Sequence, residues 1–339
     1  MSEIAIDVLL LAGLLLTAVA VARSRDLFTA VMLSGLFSVL SASAFLQMDA
    51  ADVAFTEAAV GAGVSTLLML AALRLLGRYE RAPRKPQWLA LLIVLATGAT
   101  LVYGTQDLPP FGASGNPIHR HVADRYLEKS GEEIGIPNVV TSVLASYRGY
   151  DTLGETVVVF TAALAVLLLL GGGRRQSADD GAEATTESGD GGNVWRDHPI
   201  LRVVARFLIP LIVLFALYVQ FHGEYGPGGG FQAGVILAAG MLLHLLVFGL
   251  APTLRILSQR LLWAIASLGV LVFGGTGVAS LLLGGNYLDY SVLATKAQAG
   301  QHLGIVLIEL GVMLTVSAAL ILILLAFHQR RAMASAGEP

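Results

Sequence analysis

Carboxylates inside apolar segments are the residues of this chain with the clearest capacity for chemistry. Glu57 lies in a segment that is otherwise apolar or small from Val53 to Leu73, and Glu309 has apolar residues on both sides. A carboxyl group inside a lipid bilayer is costly unless it is neutral or paired, so such residues are usually kept for handling protons or cations. The sequence therefore predicts that the protein moves ions rather than making or breaking covalent bonds.

The region around Glu57 has a second interpretation. Asp52 could cap the helix and Glu57 could lie at the membrane interface, where a carboxylate near a helix N-terminus is favoured. The residues that follow are small, and Gly61 and Gly63 are among them. Small residues let another helix approach closely, and two glycines permit a kink or a π-bulge.

Glu155 begins another apolar run and is also ambiguous. Asp151 and Thr152 predict a helix N-cap, with Glu155 near the capping-box position. Uninterrupted apolar residues follow Glu155, so the sequence equally allows it to reach into the membrane. Arg148, just before, could pair with Asp151 or with Glu155.

Histidines supply the remaining candidates. His244 lies midway along an apolar run, where it is either a packed, hydrogen-bonded residue or a proton relay. His222 and Glu224 precede the run Gly-Pro-Gly-Gly-Gly at 226–230, which predicts a tight turn between two helices, and they could serve an ion entrance. His302 and Glu309 are spaced i, i+7 and share one helix face.

The composition indicates a polytopic membrane protein of the all-α class. Of 339 residues, 55% are hydrophobic and 13% are charged, whereas about a quarter of the residues in soluble domains are charged. The absence of cysteine excludes disulfides and thiolate metal sites. No nucleotide-binding or metalloprotease motif occurs, so we expect no cofactor, no metal site and no nucleic-acid partner.

Apolar runs long enough to span a bilayer predict about nine transmembrane helices. The predicted spans are Ile4–Ala22, Leu27–Gln47, Val53–Leu73, Trp88–Gly104, Leu153–Leu170, Ile200–Phe221, Phe231–Leu250, Leu261–Leu283 and Gly300–Phe327.

Basic residues predict the orientation. With the N-terminus outside, 16 of the 21 Lys and Arg residues fall on the cytoplasmic side, and the C-terminus is cytoplasmic. Four of the other five lie in one long outer loop that includes the amphipathic stretch His119–Ser130, which we expect to lie along the outer membrane face.

Composition also divides the chain into units of three, two and four helices. We expect a three-helix module at 1–86, a second module at 87–170 with a re-entrant or interfacial segment, a disordered cytoplasmic linker at 171–194, and a four-helix domain at 195–339.

Three motifs resemble parts of one family. The stretch from Asp52 to Gly63 resembles the three-helix module at the C-terminal end of the large subunit of Mrp-type multisubunit Na⁺/H⁺ antiporters, which stands alone in membrane-bound hydrogenases as an MbhD-like module. The stretch from Pro137 to Glu155 resembles the MbhE-like module that follows it. The stretch from Trp195 to the end, with the motif Pro227–Gly234, resembles the four-helix antiporter B subunit, of the MnhB or MrpB type.

The resemblance implies a fused subunit of a Na⁺/H⁺ antiporter complex in a bacterial or archaeal cell membrane. It implies that the partners are large A- and D-type subunits and small C-, E-, F- and G-type subunits. It also implies a π-bulge near Glu57–Gly63 and ion-coupling roles for Glu57 and Glu155. The lysine-bearing half of the large subunit is missing, and none of the predicted spans contains a lysine, so we do not expect antiport by this chain alone. A redox-driven, hydrogenase-like complex and a purely structural scaffold are the alternatives.

Overall fold

The protein is a helical bundle built around its C-terminal helix. The structure is a computed structural model and describes residues 3–80, 88–110, 112–171 and 199–336. In these ranges nine helices are long and apolar enough to cross a membrane, and the only β-structure is an isolated bridge between Asp26 and Tyr79. The all-α prediction with nine spans is confirmed, whereas the orientation of the termini stays a prediction.

The main helices are α1 (Glu3–Arg23), α2 (Leu27–Gln47), α3 (51–76), α4 (Trp88–Gly104), α5 (Ala123–Glu133), α6 (139–147), α7 (Gly149–Gly171), α8 (Pro199–His222), α9 (Gly230–Phe248), α10 (Leu250–Ile256), α11 (Gln259–Leu282) and α12 (Ala297–Ala336).

Helix α12 is the centre of the bundle because small residues allow close packing on its surface. A Cβ atom at Gly269 of α11 would collide with the carbonyl oxygen of Gly311, so these two backbones are in direct contact. Phe273, Ile305 and Ile308 are fully buried beside this contact. By contrast, no residue of α4 is buried.

Helix α3 changes its hydrogen-bonding pattern after Glu57. It is α-helical over Ala51–Glu57, π-helical over Ala58–Ser65 and α-helical again over Thr66–Leu76. The hydroxyls of Ser65 and Thr66 both donate to the carbonyl of Gly61, which helps to satisfy the widened turn. The predicted π-bulge is therefore confirmed. A second π-helical segment, Ser142–Tyr147 in α6, was not predicted.

Two predicted helix caps are wrong. Helix α3 begins at Ala51, so Asp52 lies in its first turn, where the carboxylate accepts a hydrogen bond from Asn138. The fifth span begins at Gly149 rather than near Leu153, so Asp151 also lies inside the helix. Its carboxylate pairs with Arg148 at 2.7 Å, which confirms one of the two predicted partners of Arg148.

Other predictions remain open. Most of the linker predicted at 171–194 lies outside the described residues. The amphipathic stretch forms a short 3₁₀ turn, Pro117–Arg120, followed by α5, and its position at the membrane surface stays a prediction. The division into modules at 1–86, 87–170 and 195–339 also stays a prediction.

Helices α5 and α6 and the 223–229 turn form one end of the bundle, which is called the Glu224 end.

Candidate functional site: an acidic cavity shared by three segments

A cavity of about 510 Å³ lies between helices from distant parts of the chain. Helices α3, α6, α7, α9 and α12 all contribute to its wall, with apolar residues such as Leu144 and Val312 between polar ones. Its polar lining consists of Asp52, Thr56, Thr141, Thr152, Glu155, Gln232 and Glu309. Three carboxylates therefore face one space that is large enough for several water molecules.

Glu309 is placed by the central helix and covered by the glycine run. A Cβ atom at Gly230 would overlap the backbone of Glu309, and one at Gly229 would lie 3.1 Å from the Glu309 Oε1 atom. Gly229 has a φ of +107°, which L-residues with a side chain rarely adopt, and its N–H donates to the Val219 carbonyl at 3.1 Å. The predicted tight turn is confirmed, and its glycines allow the backbone to contact Glu309.

A hydrogen bond across the cavity wall joins the N-terminal and C-terminal helices. The Nε2 atom of Gln232 on α9 donates to the Thr56 hydroxyl on α3 at 2.7 Å. Thr56 in turn donates to the Asp52 carbonyl one turn earlier. The sequence does not predict this pair, because nothing local in either segment indicates that the two residues meet.

Asn138 holds three segments together at the Glu224 end. Its side-chain nitrogen lies 3.3 Å from Asp52 Oδ1 and 3.1 Å from the carbonyl oxygens of both Gly223 and Gly226. Its side-chain oxygen accepts from the N–H of Val140 and so caps α6. A Pro-Asn pair before a helix is an N-cap signal that could have identified half of this role.

Glu155 lies on α7 at the cavity wall, with much of its side chain exposed. Arg148 pairs with Asp151, which precedes Glu155 by one helical turn. Glu57, by contrast, is not part of the cavity lining. Its Oε1 atom lies beside Gly61, where the hydroxyl of Ser38 on α2 also approaches. The structure therefore places Glu57 and Glu155 in different environments.

The two predicted histidines lie away from the cavity. The Nδ1 atom of His244 is 2.8 Å from the Thr253 hydroxyl, which donates to the Gly249 carbonyl at the corner between α9 and α10. This is the packed, hydrogen-bonded alternative for His244. The ring of His222 stacks on Tyr218 with 5.0 Å between centroids.

Glu224 pairs with His302, for which the sequence predicts a shared helix face with Glu309 but no role in a site. The Nδ1 atom of His302 lies 2.8 Å from Glu224 Oε2, and the Glu224 side chain is only 6% exposed. Burial raises the pKa of Glu224, and the neighbouring His302 offsets part of that rise. Among the described residues, no group of three or more His, Asp or Glu side chains is arranged to hold a metal ion.

Comparison with known proteins identifies the family. Family models match residues 12–78 (MbhD, the D subunit of MBH), 91–187 (MbhE, the E subunit of MBH) and 200–322 ("Domain related to MnhB subunit of Na+/H+ antiporter"). The putative antiporter subunit mnhB2 of Staphylococcus aureus is 30% identical over 137 residues, which cover 39% of this chain and 95% of that protein. The chain belongs to the MnhB family of antiporter subunits. It carries MbhD-like and MbhE-like segments fused in front of the MnhB-like one.

Two longer proteins match nearly the whole of this chain. The probable K⁺/H⁺ antiporter A/B subunit of Rhizobium meliloti is 30% identical over 336 residues, covering 91% of this chain. The chain spans 32% of that relative's length. A chain of the Mrp complex from Dietzia sp. DQ12-45-1b superposes with a TM-score of 0.72 at 26% identity, over 98% of this chain and 35% of its own length.

An archaeal respiratory complex provides a second structural likeness. A chain of the membrane-bound sulfane sulfur reductase superposes with a TM-score of 0.52 at 29% identity, over 70% of this chain and 95% of its own length.

The ranges matched by the three family models each contribute to the cavity. Asp52, Glu155 and Glu309 fall one each in the MbhD-like, MbhE-like and MnhB-like ranges.

Proposed function

We propose that this multi-pass membrane protein is part of a multisubunit Na⁺/H⁺ antiporter, and that Glu309 and Glu155 bind the transported ion in the shared cavity. It acts as a transporter component rather than as an enzyme. The observation that carries the proposal is the cavity itself, in which each of the three family segments supplies one carboxylate.

The chemistry of the lining supports ion exchange. Hard cations prefer carboxylate, hydroxyl and amide oxygens, and the cavity offers these from Glu155, Glu309, Thr56 and Gln232. A carboxylate in such a place accepts either a proton or a cation, because both neutralise the same charge. Competition between the two ions at one site is the basis of antiport.

Glu57 is proposed as a separate member of the ion path. It immediately precedes the π-helical segment of α3 and faces α2 rather than the cavity. With the N-terminus outside, Glu57 and Glu155 both lie in the outer half of the membrane. We propose A- and D-type subunits and the small C-, E-, F- and G-type subunits as partners, because the nine spans lack an intramembrane lysine.

The test uses the complete complex purified from its native membrane and reconstituted in vesicles. Co-purification of large and small antiporter subunits, and proton efflux driven by Na⁺, support the proposal. The Na⁺ concentration for half-maximal rate should rise in Glu155→Gln, whereas the exposed Glu128→Gln on α5 serves as the matched control. Equal Na⁺ dependence in both variants would contradict a role for Glu155 in ion binding, and a K⁺ series run alongside identifies the preferred cation.

A redox-driven pump is the second candidate, because the chain covers 95% of its counterpart in the sulfur reductase complex. Co-purification of iron–sulfur subunits, without antiporter subunits, would favour it. A purely structural scaffold is the third, and it predicts that variants of the cavity carboxylates change only the amount of assembled complex.

A further inference from the structure

The Glu224–His302 pair has an exposed side and a buried side. His302, near the start of α12, has 57% of its side chain exposed, whereas the side chain of its partner Glu224 is 6% exposed. Imidazole is a common proton donor and acceptor in proteins, and this one is in contact with the surrounding water. The pair thus joins an accessible group to a buried carboxylate through a 2.8 Å contact.

The second carboxylate oxygen of Glu224 is unused. Oε1 is buried and accepts no hydrogen bond from the residues that the structure describes. Leaving a buried acceptor unpaired is costly, and such atoms in native proteins usually have a reason for being there. Protonation of Glu224 at either oxygen would lower this cost, in keeping with the raised pKa that its burial produces.

The turn from Glu224 leads to the cavity. Five residues later, Gly229 lies against Glu309 Oε1. His302 and Glu309 are seven residues apart on α12, which corresponds to a rise of about 10 Å. The chain therefore runs from the Glu224–His302 pair to Glu309 along two routes, the 224–229 turn and two turns of α12.

We propose that His302 and Glu224 form a proton-uptake pair that loads Glu309. Protonated His302 passes the Nδ1 proton to Glu224 Oε2, which leaves a neutral imidazole and a neutral carboxylic acid. Glu224 then passes a proton to the Glu309 carboxylate, directly or through water, and becomes anionic again. The inference rests on the proposed function, because it assigns the route by which protons reach the cavity.

Neighbouring titratable groups at this end are engaged elsewhere. On α5, Glu133 is bonded to Tyr147 and Arg125, and Glu132 lies 3.5 Å from Lys129. Other titratable groups at this end are Asp52, which Asn138 joins to the Gly223 and Gly226 carbonyls, His222 and Tyr225 beside Glu224 in the chain, and the buried Tyr290, against which Gly304 of α12 packs.

The test compares His302→Gln with His119→Gln in the complete complex, reconstituted in vesicles and assayed from pH 6 to 9. Glutamine at position 302 keeps an N–H donor for the buried Glu224 carboxylate but cannot carry a proton. We expect the antiport rate to fall at least about 100-fold in His302→Gln, the lower end of what a positioned proton carrier contributes, and external imidazole to restore most of it by supplying the missing proton carrier. His119, on the 3₁₀ turn before α5, should behave as wild type.

Two results would overturn the proposal. The first is an unchanged antiport rate and pH profile in His302→Gln. The second is a loss of antiport rate that imidazole does not restore, which would indicate that the pair is only a structural ion pair. Glu309→Gln is assayed in parallel. If that variant is inactive while His302→Gln is normal, the uptake pair is wrong and the proposed function stands. If Glu309→Gln is also normal, the proposed function itself fails.

Discussion

Gly230 and Glu309 are in backbone contact: a Cβ atom at position 230 would overlap the main chain of Glu309. The first turn of α9 thereby packs directly on the first third of α12. Since Glu309 faces the cavity from this point, the glycine determines how closely its carboxylate is enclosed.

Replacing Gly230 with alanine should therefore displace α9 from α12. We expect a destabilisation of about 1–3 kcal/mol, as in other overpacked cores, seen as a lower melting temperature of the purified complex. Gly275→Ala on α11 is the matched control, because nothing lies within 4 Å of a Cβ there and alanine favours helix. Equal melting temperatures for the two variants would contradict the packing described.

Asn138→Ala should weaken the joint between the MbhD-like, MbhE-like and MnhB-like segments. It removes the cap of α6 and the contacts to Asp52 and the 223–229 turn. Loss of the cap alone costs about 1 kcal/mol, and the carbonyls of Gly223 and Gly226 lose a donor as well. The measurement is the yield and thermal stability of the assembled complex.

Asn138→Asp separates the two roles of this side chain. An aspartate keeps the capping oxygen but loses the amide donor and places a second carboxylate beside Asp52. We expect it to be at least as destabilising as alanine. If Asn138→Asp matched the wild type, the contacts between segments would contribute nothing and only the cap would matter.

The spans could be read from composition, because bilayer burial imposes a long apolar run whatever the tertiary structure. The helix caps could not be predicted in this way. Asp52 and Asp151 have the sequence context of N-caps, but their side chains contact Asn138 and Arg148 instead. The cavity also could not be predicted from the sequence, since Gln232 and Thr56, which meet at its wall, are 176 residues apart. Glu57 and Glu309 have similar apolar flanks, and only the packing puts one of them in the cavity.

Tyr147 should control the acid stability of the contact between α5 and α6. Its hydroxyl donates to Glu133 at 2.5 Å, which lowers the pKa of Glu133, with a further contribution from Arg125; burial raises the pKa of Tyr147 to about 12. A carboxylate with a lowered pKa stabilises the fold above its ordinary pKa, and that contribution is lost as the pH falls through the lowered value.

In Tyr147→Phe the pKa of Glu133 should therefore rise towards its ordinary value, and α5 should detach at a higher pH. Hydrogen exchange of the α5 amides between pH 3 and 7 measures this. Tyr126→Phe keeps the ring contact with Tyr147, at 4.8 Å between centroids, and should not shift the transition. Identical exchange profiles for Tyr147→Phe and wild type would show that the hydroxyl contact is not stabilising.

The most direct test of the central proposal is the antiport rate of Glu309→Gln in the reconstituted complex, compared with wild type at equal amounts of assembled protein. Glutamine keeps the shape of the side chain but can neither carry a proton nor neutralise a cation. If Glu309 binds the transported ion, the rate should fall to that of vesicles without the complex, while assembly stays normal. A wild-type rate would show that the cavity carboxylate takes no part in transport.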